Sequence, residues 1–167
     1  MLRDFFKFGT TKESAEKRRI LSDDQPPEFA REQNRAIIAY FRQNAAWNAL
    51  TGTYSLRARP DLTGELHDLI AEDTAVANVE KGSIYGWPVV ANVSGILFAW
   101  TGGTSDVFLR LREDRVEAAC RDGARVDPTY PPDWVNFYVP RLGNEWRVKL
   151  KRWVRISYED SLGMGEL

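Results

Sequence analysis

Reactive side chains are scarce in this sequence. Its 167 residues include one cysteine, Cys120, and one histidine, His67. An intramolecular disulfide is therefore impossible, and a zinc site, which normally needs several Cys or His ligands, is not expected. Cys120 follows two alanines in a helical pattern, and His67 lies on the flank of an amphipathic helix. We therefore predict a buried or half-buried structural cysteine, a surface histidine, and neither catalytic nor metal-binding residues.

Long apolar runs and excess charge of one sign are also missing. The most apolar stretch, residues 89–100, is interrupted by Asn92, Ser94 and Gly95, well short of the roughly 18 residues that span a membrane. The 23 basic and 24 acidic residues leave a net charge of −1, too little to attract nucleic acid or anionic lipid over the whole surface. We expect a cytoplasmic protein without a membrane partner.

A phosphate-binding loop is absent as well. Residues 101–106, with the sequence TGGTSD, contain two glycines, but no lysine follows them and a strand rather than a helix comes next. This pattern is typical of a hairpin turn. The carboxylate pairs Asp68/Glu72 and Glu113/Glu117 have helical spacing and are interpreted as solvated helix faces. No cofactor is expected.

What the sequence does contain is a clear order of elements. Residues 1–27 are polar and predict a flexible arm, whereas residues 28–167 predict one α+β domain. Apolar residues recur at helical spacing over residues 28–50 and 62–73, and a shorter helix is expected over 113–121.

Four strands are predicted between these helices, over residues 84–93, 96–100, 106–111 and 134–139. In the third strand, the alternation of side chains predicts one buried face and one largely solvent-exposed face, with Phe108 and Arg110 on the exposed face. The fold class is therefore an antiparallel sheet flanked by helices, with an N-terminal helical extension. The last segment alternates as a strand would from Trp146 to Lys151, but beyond Lys151 it could equally be a terminal helix, and the fold that we expect includes a terminal helix.

Several of these segments resemble the TfoX N-terminal-like domains. The resemblance covers roughly residues 60–162. It rests on a glycine-containing strand, a Gly-x-x-Phe-Ala strand that forms the first hairpin with it, and an aromatic strand that ends in proline, which correspond to residues 79–88, 94–100 and 137–140. It implies an α+β fold with an antiparallel sheet and a helical C-terminal segment. It implies no catalytic residues, and the family's link to the regulation of DNA uptake does not transfer by fold.

Two groups of side chains are candidate binding residues. Cations interleaved with tryptophans in the C-terminal segment could contact nucleic acid; they are Arg147, Lys149, Lys151, Arg152 and Arg155. Aromatic residues on or near the strands could line a small-molecule pocket or fill the core; they are Tyr85, Trp87, Trp100, Trp134 and Tyr138.

The functional prediction is reached by elimination. Without a nucleophile–base pair, a metal cluster or a phosphate loop, we expect a binding or regulatory protein that contacts another protein, either a second copy or a different chain. The alternatives are a nucleic-acid-binding regulator that uses the C-terminal cations, and a small-molecule-binding protein or small enzyme with an aromatic pocket.

Overall fold

The computed structural model describes residues 27–51 and 57–165. Apart from Pro27, the predicted N-terminal arm lies outside the described residues. The described helices are α1 (Arg35–Thr51), α2 (Pro60–Ala71), α3 (Glu113–Arg121) and α4 (Trp146–Met164). The strands are β1 (Glu80–Ile84), β2 (Trp87–Ala91), β3 (Leu97–Gly102), β4 (Asp106–Arg110) and β5 (Trp134–Tyr138). Short 3₁₀ helices precede α1 and α4, the latter at Val139–Glu145.

The five strands form one antiparallel sheet in the order β1-β2-β3-β4-β5. Each strand pairs with the strand that follows it along the chain; Trp100 of β3, for example, lies opposite Phe108 of β4. Short turns suffice for such a sheet because antiparallel neighbours need no crossover connection. The α+β class predicted from the sequence, with a helix N-terminal to the sheet, is confirmed.

Helices cover both faces of the sheet. On the face that we call the α4 face, Val107, Leu109 and Val135 join a core formed with α2, α3 and α4. On the opposite face, the α1 face, Trp100 and Trp134 pack with α1 and with the 3₁₀ turns that precede it. Two core layers therefore share one sheet.

Burial of the α1 face corrects one prediction. Phe108 and Arg110 were predicted to lie on a largely solvent-exposed face, yet each residue is only 8% exposed. Helix α1 and the loop before β5, which contributes Tyr130, cover this side of β4. Alternation along β4 correctly separated two faces, but it carried no information about what packs on the second.

The first part of the sheet contains two strands where the sequence predicted one. Residues 84–93 were expected to form a single strand, but Tyr85 and Gly86 make a two-residue hairpin turn between Ile84 and Trp87. Both turn residues have positive φ, 51° and 86°, as type I′ turns require. Glycine adopts that conformation readily, and Tyr85 adopts it against the usual preference of a side chain.

The C-terminal segment is helical, so the strand alternative for it is wrong. Helix α4 buries Leu150, Trp153, Val154 and Tyr158, which follow the helical period, whereas Val148 is 72% exposed. In the described ranges no helix combines the length and apolar character that a membrane span requires.

Candidate functional site

A cleft beside α2 is bounded by several elements of the described fold. It has a volume of about 430 Å³ and lies between α2, the turn that joins β3 to β4, and the segment from Val139 into α4. We call it the α2 cleft. Its apolar lining residues are Leu62, Leu66, Val107, Val139, Pro140, Trp146 and Leu150, and its polar ones include Arg59, Asp61, Glu65, Thr104, Ser105 and Asn144.

The β3–β4 turn holds two walls of the cleft in place. Arg59 N donates to Gly103 O at 2.9 Å, and Gly103 N donates to Arg57 O at 2.9 Å, so the chain entering α2 is attached to the turn. Gly103 has φ of 58°, a conformation that glycine adopts without strain. Val139 N donates to Ser105 O at 2.9 Å and attaches the third wall to the same turn.

Side chains fix α2 at two further points. The hydroxyl oxygens of Thr63 and Thr101 lie 3.0 Å apart and join the first turn of α2 to β3. At the other end of the helix, Arg147 Nη2 donates to Glu72 Oε1 at 2.8 Å. The cleft is therefore bounded by elements that are each hydrogen-bonded to a neighbour, as expected of a preformed pocket.

The floor of the cleft belongs to the α4-face core. Leu62 and Leu66 of α2, Val107 of β4 and Leu150 of α4 are all buried. Because these side chains are held by core packing, the floor is apolar and has a fixed shape. A ligand bound there would bury its apolar surface against the floor without any rearrangement of the core.

The rim of the cleft carries charge. Arg59 and Asp61 form an exposed ion pair with Nη2 and Oδ2 3.3 Å apart. Glu65 lies one turn further along α2, and its Oε2 is 3.7 Å from Arg147 Nε. That oxygen has less than 1 Å² of accessible surface and no hydrogen-bond partner.

A second hollow lies along α1. It is lined by one helix, from Tyr40 to Trp47, with Thr129 opposite. Burial, followed by the charge of Asp127, raises the pKa of Tyr40, and the same two causes lead in raising the pKa of the neighbouring Tyr130 to about 12. This hollow lacks a floor of core residues from several elements, so the α2 cleft is the better candidate site.

Three of the five aromatic residues singled out as pocket candidates fill the core of the α1 face. Trp87, Trp100 and Trp134 are buried there. The ring of Trp100 stacks on Phe108 with centroids 3.6 Å apart and an interplanar angle of 2°. Tight stacking of this kind leaves no space for a ligand between the rings.

The other two pocket candidates lie at the margins. Tyr85, half-buried in the β1–β2 turn, packs against the same cluster, and its hydroxyl accepts a hydrogen bond from Arg42. Tyr138 is half-buried at the end of β5, where the guanidinium carbon of Arg125 lies 5.5 Å from its ring centroid. The five aromatic residues therefore do not converge on one pocket.

Carboxylates neutralise most of the C-terminal cations. Arg147 and Lys151 both reach Glu72, Arg155 donates to both carboxylate oxygens of Asp73 at 2.7 and 2.8 Å, and Arg152 pairs with Asp122. Lys149 has no ion-pair partner among the described residues. A nucleic-acid phosphate would have to compete with four established ion-pair partnerships on this helix.

The functional side chains of the cleft were missed at the sequence level. Glu72 was interpreted as part of a solvated helix face and Glu65 was not singled out, but both contact Arg147. Their spacing of seven residues places them on one stripe of α2, which was the available signal. His67 on the same helix does not line the cleft, and its pKa is lowered by burial and then by Lys81, with Asp68 opposing.

Comparisons with known proteins assign no family. No family model matches the chain, and neither the curated proteins nor the solved structures contain a match. The resemblance to TfoX N-terminal-like domains therefore stays a prediction. Within residues 27–51 and 57–165, no group of three or more His, Cys, Asp or Glu side chains is placed to hold a metal ion.

Proposed function

We propose that this protein is a small-molecule-binding module and that the α2 cleft is its binding site. The observation that supports this proposal is the combination of a core-anchored apolar floor with a charged rim in a cavity of about 430 Å³. Ligand pockets typically measure roughly 300–1,000 Å³ and combine apolar walls with a few fixed polar groups.

The distribution of exposed apolar residues favours a small ligand over a macromolecular partner. Those described lie on four different segments: Trp47 on α1, Val93 after β2, Val126 in the loop before β5, and Val148 and Leu162 on α4. Single exposed apolar residues are common on soluble proteins and do not make an interface. A protein partner, a regulatory role and a cytoplasmic location stay predictions from the sequence.

The first experiment is a ligand screen with a blocked cleft as its reference. Asn144 is exposed and lines the cleft, so Asn144→Trp should fill the opening without disturbing the core. Val148 is exposed on α4 and does not line the cleft, so Val148→Trp is the matched control. We expect compounds from a metabolite library to raise the melting temperature of wild type and Val148→Trp but not of Asn144→Trp.

A local signal should accompany this stabilisation. Trp146 lines the cleft, so its fluorine resonance in fluorotryptophan-labelled protein should shift when a ligand binds. The resonance is assigned as the one that disappears in Trp146→Phe. The resonance of buried Trp134 should stay constant. The proposal fails if no compound stabilises the wild type. It also fails if the stabilising compounds act equally on Asn144→Trp.

A further inference from the structure

Among the described residues that line the cleft, Glu65 is the one whose side chain has a buried polar atom without a hydrogen-bond partner. Its Oε2 has no donor and almost no contact with solvent. Arg147 Nε is 3.7 Å away, beyond hydrogen-bonding distance, and Arg147 Nη1 and Nη2 are directed to Glu72 at 3.3 and 2.8 Å. A carboxylate oxygen deprived of both water and a donor is energetically costly, so a donor supplied from the cleft would be favoured.

The surrounding charges leave this requirement to a ligand. Arg59, the only cation among the described residues that line the cleft, is paired with Asp61. Lys151 on α4 is directed to Glu72 at 3.8 Å rather than to Glu65. Glu65 lines the cleft and its side chain is 46% exposed overall, so rotation about its side-chain bonds can bring the carboxylate within reach of a ligand.

We infer that the α2 cleft selects a ligand with a protonated amine or guanidine head and an apolar body, and that Glu65 accepts the N–H of the head. The inference rests on the proposed function. The apolar body would lie over Leu62, Leu66 and Leu150 while the head reaches the rim. A cationic donor forms a charge-assisted hydrogen bond with a carboxylate, whereas a carboxylate ligand would meet like charge at Glu65.

The test compares ligands that share a body and differ in the head. The probes are phenethylamine, phenethyl alcohol and phenylpropanoate, with the corresponding hexyl series, titrated against wild type by fluorine NMR at Trp146. We expect the amines to bind at least about tenfold more tightly than the alcohols and the acids, the gain typical of a charged over a neutral hydrogen bond.

Two carboxylate variants assign this preference to a residue. Glu65→Gln should reduce amine affinity about tenfold while leaving alcohol affinity nearly unchanged, because the amide retains the shape and loses the charge. Asp68→Asn is the matched control, since Asp68 is an exposed carboxylate of the same helix that does not line the cleft. It should retain the amine preference. Melting temperatures of both variants confirm that they fold.

Each result decides the inference. Absence of amine binding, equal or tighter binding of alcohols or acids, or an unchanged amine preference in Glu65→Gln overturns it. If alcohols or acids bind and Asn144→Trp abolishes their binding, the small-molecule site stands and only the head-group assignment is wrong.

Discussion

At the scale of single residues, Arg110 is the most constrained charged side chain of the α1 face. Its guanidinium donates from Nε to Asp133 Oδ2 at 2.7 Å and from Nη2 to Gln33 O at 2.6 Å, and Nη1 lies 3.5 Å from Leu97 O. One buried cation thus links β4 to β3, to the loop before β5 and to the turn before α1. Burial of this charge is tolerated because each of the three guanidinium nitrogens has an acceptor within 3.5 Å and one acceptor is a carboxylate.

Replacing this cation should be strongly destabilising. Arg110→Met removes the donors and leaves Asp133 without its partner, so we expect the free energy of unfolding to fall by about 3 kcal/mol. Urea denaturation measures the change. Arg121→Met, which removes an exposed helical pair with Glu117, is the control and should shift stability by less than about 0.5 kcal/mol. Similar losses in the two variants would contradict this account of Arg110.

Single polar residues also organise the chain around β3. Asn34 is fully buried; its amide donates to Phe29 O and Gly95 O, and its Oδ1 accepts from Leu97 N at 2.9 Å. The bonds with Gly95 and Leu97 connect the turn before α1 to the start of β3, and the bond to Phe29 O closes that turn on itself. A buried asparagine whose side-chain nitrogen and oxygen are both hydrogen-bonded fixes the position of a connection that has little regular structure.

At the scale of elements, two buried carboxylates position α4. Asp73 follows α2 and accepts from Arg155, while Asp160 of α4 accepts from Arg115 Nε at 2.9 Å and from Arg112 N at 3.0 Å. Both carboxylates are only 3% exposed, whereas the partner guanidinium groups are about half exposed. The two carboxylates, which water cannot reach, therefore depend on these hydrogen bonds more than the solvated guanidinium groups do.

The Asp73 contact should contribute to stability in a pH-dependent manner. Asp73→Asn should lower the free energy of unfolding near neutral pH by about 1.5–3 kcal/mol, because it weakens hydrogen bonds from a charged donor. The hydrogen bond from Arg155 is the main cause that holds the pKa of Asp73 below its usual 3.8. The unfolded chain therefore binds a proton at higher pH than the folded chain.

The sign of the pH effect follows from this lowered pKa. The stabilisation is fully present well above pH 3.8 and is lost as pH falls below it through the folded pKa. The stability difference between wild type and Asp73→Asn, measured by urea denaturation across this range, should narrow on acidification. Glu117→Gln, in an exposed pair, is the control and should show little difference at any pH. A stability difference between wild type and Asp73→Asn that widens on acidification would contradict a lowered pKa of Asp73 in the folded chain.

At the scale of the whole molecule, the sheet is shared by two core layers. Every residue of β3 is buried, with Phe98 on the α4 face and Trp100 on the α1 face. Neither layer can lose its packing without exposing strands that the other layer also uses. We therefore expect residues of the two faces to unfold together.

This cooperativity can be tested with one truncation on each face. Phe41→Ala removes a fully buried ring from the α1 face, and Leu69→Ala removes a buried side chain from the α4 face. Each should cost roughly 2–5 kcal/mol. Tryptophan fluorescence and far-UV circular dichroism should still report one coincident urea transition in both variants. Separate transitions in either variant would show that the layers unfold independently.

The sequence by itself determined the elements whose signal is local. Helices α2 and α3 and strands β3, β4 and β5 were predicted within a few residues, because each has a period of its own, and the α+β class followed from their order. Turn chemistry was harder, since Tyr85 adopts positive φ only with Gly86 beside it and the hairpin partner opposite. The helical state of α4 was unresolved over the short window from Trp146 to Lys151, where alternation competes with the longer helical period.

Only the tertiary structure decided what covers each face and where the cleft lies. Periodicity assigned Arg110 to a different face of β4 from that of Val107 and Leu109. The sequence of a strand does not indicate which helix packs on it. The α2 cleft is built from three segments, residues 59–66, 104–107 and 139–150, and Glu65 becomes distinctive only when Arg147 is directed to Glu72 instead. Burial and hydrogen-bond satisfaction are properties of contacts between distant segments, and local pattern reports only the segment in which it occurs.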